Sequence, residues 1–201
     1  MAGVYHDGNR VLQDRFDTRR LADRLEAVKV HDRFTAEDRA FIERLDMFFL
    51  ATADAAGQPT CSYKGGDTGF VRVLDERTLV FPSYDGNGMF LSLGNLGVNP
   101  RVGMLFVDFS TPRRLRVEGT AETDSDPEKL SWYPGAQLVV RVTPHQIFPN
   151  CPRYIHKLVS VERSPYVPEP GRPAPVPSGK RSDWARDVLP AGDPARGVES
   201  G

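Results

Sequence analysis

A series of short strand-like runs between residues 47 and 148 constrains the fold of this chain more than any other feature. Each run either alternates apolar and polar residues or is almost continuously apolar, and polar or Gly-containing turns separate most neighbouring runs. Short strands joined by tight turns are typical of antiparallel barrels and sandwiches, whereas a Rossmann domain needs strands that alternate with helices. We therefore predict a mainly β fold. The runs occupy residues 47–54, 59–64, 70–75, 78–84, 101–109, 115–123 and 137–148.

The segments on either side of this β region have a different composition. Apolar residues recur at roughly helical spacing across residues 10–30, and Thr35–Asp38 is typical of a capped helix start, so we predict two N-terminal helices. From Ser164 onward the chain is rich in proline and poor in aliphatic residues, which predicts an extended and mostly exposed arm. The predicted organisation is a helical extension at 1–45, a β domain at 46–160 and a Pro-rich arm at 161–201.

Charge and cysteine content narrow the classes of function. The formal net charge is −1, so no basic excess indicates nucleic-acid binding. No apolar run approaches the roughly 18 residues that a membrane span needs. Cys61 and Cys151 lie far apart and outside any CxxC pattern, which favours a reducing cytoplasm over a disulfide-stabilised fold. His145, Cys151 and His156 do not have the spacing of a zinc site, so we expect no metal.

The first candidate site lies in the segment 81–106, which predicts a strand, a Gly-rich turn, one short helix and a second strand. A helix start carries unpaired backbone N–H groups and the positive end of the helix dipole, so it suits a phosphate. Asn87, Ser92 and Asn95 add side-chain hydrogen-bond donors there. Helix capping by Asn87 and a satisfied polar helix face would explain the same residues. The segment therefore indicates either an anion site or an ordinary capped helix.

The second candidate site is on the strand at 59–64 and the glycines that follow it. Ser62 and Lys64 are two residues apart, so both side chains point to the same side of the strand and can hold one phosphate. Gly65 would let a planar ring approach the backbone. The alternative is a solvent-facing lysine before a Gly-rich hairpin.

The third candidate site is the strand that contains Arg114 and Arg116. Alternation places both arginines on one face and Leu115 and Val117 on the other. The arginines then form either a binding surface or an exposed charged face that pairs with acidic residues. Arg72 is a further candidate contact because its strand follows the Gly-rich loop.

Three segments, taken in order, resemble the flavin-binding split-barrel proteins related to pyridoxamine 5'-phosphate oxidase. They are DAAGQPTCSYKGG at 54–66, the strand-turn-helix-Asn-Pro-strand segment at 81–106, and RRLRVEGTAE at 113–122. The resemblance spans about residues 46 to 123. It implies a six-stranded antiparallel split β-barrel with peripheral helices, a homodimer, and FMN in grooves between the two subunits.

The resemblance also implies roles for individual residues. The phosphate or the ring edge would be contacted by Ser62, Lys64 and Gly65, and the remaining phosphate and ribityl contacts would come from Asn87, Ser92 and Asn95. Arg114 would face the flavin ring system and polarise one of its carbonyl groups.

Two departures separate this chain from enzymes that make pyridoxal phosphate. The helix segment NGMFLSLGN contains no lysine or arginine, and residues 124–137 are too few for the substrate-binding helical insertion of those enzymes. The chain is more similar to flavin-nucleotide-binding relatives with SxKGG and DGN patterns. The expected function is an FMN-dependent oxidoreductase that acts on a small molecule. The alternatives are a non-catalytic flavin carrier or sensor and a deazaflavin-dependent reductase.

Overall fold

The computed structural model describes residues 3–185 and 187–196, and one antiparallel sheet of seven strands forms its centre. The strand order is β2-β1-β5-β6-β7-β4-β3. The strands are β1 (Met47–Ala53), β2 (Pro59–Gly65), β3 (Arg72–Asp75), β4 (Thr78–Tyr84), β5 (Arg101–Asp108), β6 (Arg113–Asp124) and β7 (Ala136–Pro149).

The sheet packs around an apolar core to which every strand except β2 contributes buried side chains. Phe48 is fully buried, and its ring centroid lies 5.0 Å from that of Phe81 and 5.2 Å from that of Phe106. Leu50 and Val117 continue the same core along β1 and β6. Burial of these side chains is the main stabilising contribution to such a fold. The mainly β class predicted from the runs is confirmed.

The number of strands differs from the number that the family resemblance implies. All seven sequence runs form strands, one more than the six of a split barrel. The additional strand is explained by β3, which has four residues and pairs only with β4 at one edge of the sheet. Strand β2 forms the other edge, and no ladder between described residues joins the two edges. The sheet is therefore split and not closed by hydrogen bonds.

Helices flank the sheet in the N-terminal region and between strands. They are α1 (Asp7–Arg15), α2 (Arg19–Lys29), α3 (Ala36–Glu43), α4 (Leu91–Val98) and α5 (Pro127–Ser131). The prediction of one helix across residues 10–30 is wrong, because the chain breaks there into α1 and α2. Asp17 adopts a left-handed backbone conformation at the break, with φ of 52°, which aspartate tolerates better than most residues. The capped start at Thr35 is confirmed, since Thr35 and Asp38 form a reciprocal capping box.

The chain divides into two compact units, Met1–Val161 and Glu162–Gly201. The first contains the sheet and all five α-helices. The described part of the second consists of turns and a short 3₁₀ helix, Ser178–Arg181, with a Lys180–Asp193 ion pair of 2.7 Å. The boundary at 45/46 and the Pro-rich arm stay predictions. Among the described residues, no helix has the length and apolar character that crossing a bilayer requires.

Candidate functional site

A cavity of about 360 Å³ lies where strand β2 faces the start of helix α4; we call it the Lys64 cavity. Lys64 lines it and also lines an adjoining cavity of about 240 Å³ that includes Gly65. The ammonium group of Lys64 makes no ion pair or hydrogen bond with the described residues. Its partial burial lowers its pKa, because the charged form loses hydration without gaining a partner. An anion in this cavity would supply that missing partner.

The start of helix α4 lies in the same cavity and carries no side-chain cap. Phe90 occupies the N-cap position in a left-handed backbone conformation, with φ of 49°, and no side chain accepts from the first turn. A bulky residue in that conformation is strained, and such strain occurs often at ligand sites. Asn87 does not cap the helix, because its Oδ1 accepts from the backbone N–H of Met89 at 3.1 Å within the preceding loop. The uncapped first turn therefore presents N–H groups that an anion can accept from.

Two serine hydroxyl groups connect the strand to the helix at the wall of the Lys64 cavity. Ser62 Oγ lies 3.0 Å from Ser92 Oγ, and Ser92 is buried. Each hydroxyl can donate one hydrogen bond and accept others, so this pair keeps capacity for a ligand. The structure thus brings Ser62, Lys64, Asn87 and Ser92 together in one cavity, and their role in holding a phosphate stays a prediction.

Asn95 lies on the same helix but does not line the cavity. Its Nδ2 donates to Thr52 Oγ1 at 3.0 Å and to Thr60 Oγ1 at 3.4 Å, and the two threonine hydroxyls are 3.0 Å apart. These bonds fasten helix α4 to the β1–β2 hairpin. Asn95 therefore fixes the orientation of the helix that forms the cavity wall.

Gly65 lies close to the aromatic ring of Tyr63. A Cβ at this position would lie 2.7 Å from Cε1 of Tyr63, so only glycine fits while the tyrosine ring lies over it. The Tyr63 residue is 63% exposed and its ring centroid lies 6.2 Å from that of Phe49. The backbone at Gly65, which we expected to lie beside the planar ring of a cofactor, thus already contacts the ring of Tyr63. Because Tyr63 is largely exposed, its side chain has room to move.

Arg72 lies away from the Lys64 cavity. It is on edge strand β3, its Nη2 donates to the carbonyl oxygen of Trp132 at 3.1 Å, and its guanidinium lies 4.7 Å from the ring centroid of Tyr133. It therefore ties β3 to the segment after α5. The structure does not bring Arg72 together with Ser62 and Lys64, and its role as a cofactor contact stays a prediction.

Arg114 lines a different cavity, of about 450 Å³, which we call the Arg114 cavity. The face predicted for it is confirmed, because Leu115 and Val117 are buried in the core while Arg116 is exposed. No residue lines both the Arg114 cavity and either of the cavities that contain Lys64. Within the described chain, the predicted ring contact and the predicted phosphate contacts are therefore not parts of a single cavity.

Sequence reasoning missed a histidine–carboxylate pair in the Arg114 cavity. His31 Nε2 lies 2.8 Å from Asp38 Oδ2, and Asp38 also accepts from the Thr35 hydroxyl at 2.7 Å. A bridge between His31 and Ile147 brings this segment to the sheet. The capping motif at Thr35 indicated a helix start, but no local pattern could place His31 beside strand β7. Among the described residues, no group of His, Cys, Asp and Glu has the arrangement of a metal site.

The comparisons with known proteins agree with this fold. The sequence profile of the pyridoxamine 5'-phosphate oxidase family matches residues 34–151, more than half of the chain, and the chain therefore belongs to this family. Proteins of the family generally bind flavin nucleotides and are commonly dimeric. Among proteins with curated descriptions, none matches the sequence.

Solved structures give weaker matches. HupZ of group A Streptococcus is 22% identical over 58% of this chain and 93% of its own, with a TM-score of 0.46. A conserved hypothetical protein of Mycobacterium tuberculosis is 22% identical over 66% of this chain and 96% of its own, with a TM-score of 0.44. An FAD-binding protein of Mesorhizobium loti is 19% identical over 60% and 96%, with a TM-score of 0.42. Similarity at this level bears on neither cofactor nor reaction.

Proposed function

We propose that this protein is an FMN-dependent oxidoreductase that acts on a small molecule as a homodimer, with the cofactor at the subunit interface. The observation that carries the proposal is the position of Lys64, a half-buried cation without a partner among the described residues, in the same cavity as the uncapped start of α4. Membership of a family whose proteins generally bind flavin nucleotides supports the same conclusion.

The residues of the Lys64 cavity fit the phosphate end of such a cofactor. An ammonium group, free N–H groups at a helix start and two hydroxyl groups are the donors that proteins commonly use for phosphate. In the proposal, Lys64 and Ser92 hold the phosphate, Ser62 and Asn87 hold the phosphate or the ribityl chain, and Gly65 lies beside the ring edge. When bound, the flavin would supply the hydride and electron transfer chemistry, which no side chain of this protein provides.

The side chains of the protein would bind the cofactor and fix its orientation. Lys64 supplies the positive charge, and Asn95 keeps helix α4 at a fixed angle through its bonds to the two threonines. Arg114, in its separate cavity, could contact a ring bound beside Lys64 only if the second subunit brought the two cavities together. The exposed Tyr63 on edge strand β2, with Phe49 beside it, offers an apolar surface that supports such pairing.

The first experiment is an absorption spectrum of the purified protein followed by titration with FMN and with riboflavin, which lacks the phosphate. We expect Lys64→Ala to weaken FMN binding about tenfold while leaving riboflavin binding unchanged, because only the phosphate ester loses its cationic partner. Lys157→Ala is the matched control, since Lys157 is exposed and lines neither cavity.

The other outcomes separate the alternatives. A colourless protein that does not bind FMN would contradict the proposal. Binding of a deazaflavin in place of FMN would instead indicate a deazaflavin-dependent reductase. Tight FMN binding at one per subunit, with no turnover of NADH or NADPH and no acceptor reduced, indicates a flavin carrier or sensor. Equal loss of FMN and riboflavin affinity in Lys64→Ala would contradict the phosphate role of Lys64.

A further inference from the structure

Helix α2 carries an apolar stripe that lies open to solvent. Leu21, Leu25 and Val28 recur at helical spacing and therefore share one face of the helix; we call them the α2 stripe. Each is between 46% and 64% exposed, and Ala22 is the only buried residue within Arg19–Lys29. An amphipathic helix normally turns such a stripe toward a core. The α2 stripe therefore lacks the apolar cover that its pattern predicts.

Polar contacts, and not this stripe, hold α2 to helix α1. Arg10 Nη1 lies 2.6 Å from Asp23 Oδ1, and Arg19 forms a second ion pair with Asp14. Because a helix turns by about 100° per residue, Asp23 lies about 160° around α2 from Leu25. The ion pairs thus occupy the side of α2 that faces α1, and the α2 stripe points away from it.

The α2 stripe starts at the wall of the Arg114 cavity. Val28, at its C-terminal end, lines that cavity together with Lys29. Leu25 and Leu21 lie about one and two turns further along the same face of the helix. A second subunit that covers the Arg114 cavity would therefore contact the stripe as well.

A second exposed apolar patch borders the Lys64 cavity. Met89, Phe90 and Leu91 line that cavity at the start of α4, and each is at least half exposed; we call them the α4 patch. The patch and the stripe each expose about 300 Å², and a twofold dimer that pairs them does so twice. The area buried would be about 1,200 Å², which reaches the lower end of the range for specific interfaces. The two surfaces therefore match in size and in chemistry.

The cations beside the α2 stripe complement a phosphate. Arg24 and Lys29 flank the stripe, and neither side chain forms an ion pair or a hydrogen bond with the part of the chain that the structure describes. A phosphate monoester carries up to about two negative charges at neutral pH, so Lys64 alone leaves it only partly compensated. Cations on a docked α2 would supply the remaining positive charge.

We propose that α2 of each subunit packs its stripe on the α4 patch of a second copy of this chain and thereby covers that copy's Lys64 cavity. The proposal rests on the homodimer and the cofactor site of the proposed function, and it adds the element that closes the site. In this arrangement the Arg114 cavity of one subunit lies beside the Lys64 cavity of the other, which is the approach that Arg114 needs to contact a flavin ring. Helix α2 lies outside the family match of 34–151, so the family does not supply this contact.

Cross-linking between chains tests the contact directly. Both native cysteines are exposed, so they are first replaced by Cys61→Ser and Cys151→Ser. A chain with Leu25→Cys is then mixed with a chain with Met89→Cys, allowed to exchange subunits and treated with a short bismaleimide. We expect a cross-linked heterodimer. The yield should be about tenfold lower with Ala27→Cys in place of Leu25→Cys, since Ala27 is exposed about 160° around the helix.

A charge in the α2 stripe tests what the contact contributes. Leu25→Asp should raise the dissociation constant of the dimer about tenfold or more and speed FMN release about tenfold, because a carboxylate would be buried against apolar side chains and the cover would open. Ala27→Asp is the matched control and should change each by less than about twofold. Both residues are exposed in the subunit, so neither variant should unfold it. Sedimentation and stopped-flow fluorescence measure the two quantities.

The outcomes separate this proposal from the flavin function. Cross-linking through Leu25 in a protein that does not bind FMN would support the contact and contradict the function. A dimer that binds one FMN per subunit, gives no cross-link through Leu25 and is unaffected by Leu25→Asp would overturn the contact and leave the function standing. Equal cross-linking through Leu25 and Ala27 would also overturn the contact, and a protein that stays monomeric would contradict both.

Discussion

At the scale of single residues, the charge of Lys64 is the quantity on which the proposed phosphate site depends. Burial lowers the pKa of its ammonium group below the ordinary lysine value, and a bound phosphate raises that pKa again by favouring the charged form. Since the two effects oppose each other, Lys64 loses its proton at lower pH in the free protein than in the complex. In the proposed complex, affinity for the phosphate ester is therefore linked to the protonation of Lys64.

We accordingly expect FMN affinity to fall as the pH rises through the lowered pKa of Lys64. The phosphate ester itself titrates near pH 6 and keeps its full negative charge at higher pH. Fluorescence titrations across the alkaline range measure the effect. Lys64→Arg, which stays protonated, should show a flat profile, and a parallel fall in that variant would contradict the assignment to Lys64.

Tyr133 carries a second single-residue prediction. It is 3% exposed, and its hydroxyl is buried without a hydrogen-bond partner among the described residues. Burial raises the pKa of Tyr133 to about 12 from the ordinary 10.0. We expect Tyr133→Phe to change the free energy of unfolding by between zero and a gain of about 1 kcal/mol, because it removes an unsatisfied polar group without removing the ring.

Urea denaturation measures this change. Because the folded pKa is raised, wild type should lose stability relative to Tyr133→Phe as the pH rises from 10 to about 12. Tyr63→Phe, on the exposed strand, is the control and should lie within about 0.5 kcal/mol of wild type. A loss of more than about 1 kcal/mol in Tyr133→Phe would mean that the hydroxyl has a partner.

At the scale of elements, helix α4 owes its position to tertiary contacts and not to its own propensity. Its sequence, LSLGNLGV, contains two glycines that weaken an isolated helix. Asn95 and Ser92 bond to the β1–β2 hairpin, and Leu96 is buried against the core. The packing therefore holds a helix that the local sequence alone would support poorly, and it sets the wall of the Lys64 cavity.

The β6–β7 ladder depends on a glycine at its irregularity. The register shifts between Glu118 and Gly119, and a Cβ at Gly119 would lie 2.2 Å from the carbonyl oxygen of Thr143. That contact is with backbone, so it cannot be relieved by a rotamer change. We expect Gly119→Ala to destabilise the protein by about 2–3 kcal/mol, measured by chemical denaturation.

Gly94→Ala is the matched control for this substitution. A Cβ at Gly94 meets no heavy atom, and the residue lies inside helix α4, so alanine should stabilise by up to about 1 kcal/mol. If the two substitutions changed the free energy of unfolding equally, the backbone of Thr143 would have to move away from the added Cβ at little cost.

At the scale of the whole molecule, the main cluster of buried apolar residues lies in the first unit. The buried residues that form it run from Phe34 to Ile147, and the family match covers 34–151. We expect a chain that ends at Val161 to unfold cooperatively within about 3 °C of the full-length midpoint, since it keeps every residue of that core. Differential scanning calorimetry measures the midpoint. A fall of more than about 8 °C would show that Glu162–Gly201 stabilises the first unit.

The strand positions were largely predictable because period-two patterning is local. All seven runs form strands with ends shifted by at most two residues, since alternation and turn residues act over neighbouring positions. The helix count was less predictable. The apolar spacing across residues 10–30 continues through the break at Asp17, and no Gly or Pro marks the turn there.

The candidate site was predictable where its residues adjoin in sequence or share a strand face. Predicting that Ser62 and Lys64 share a face required only the two-residue period of a strand. Predicting that Asn87 and Ser92 lie near each other required only the turn that precedes a helix. The order of strands in the sheet decides that these residues converge in one cavity and that Arg114 lies apart from them. It also decides that Arg72 contacts Trp132.

The sequence by itself thus determined the mainly β class, the strand boundaries to within two residues and the polar residue types that line the Lys64 cavity. Only the tertiary structure decided that Arg114 joins Asn150 and the His31–Asp38 pair in a second cavity. The physical reason is distance along the chain. Patterning and turn chemistry act over a few residues, whereas the strand order, which places β6 beside β7 and β5 beside β1, depends on burying one common core.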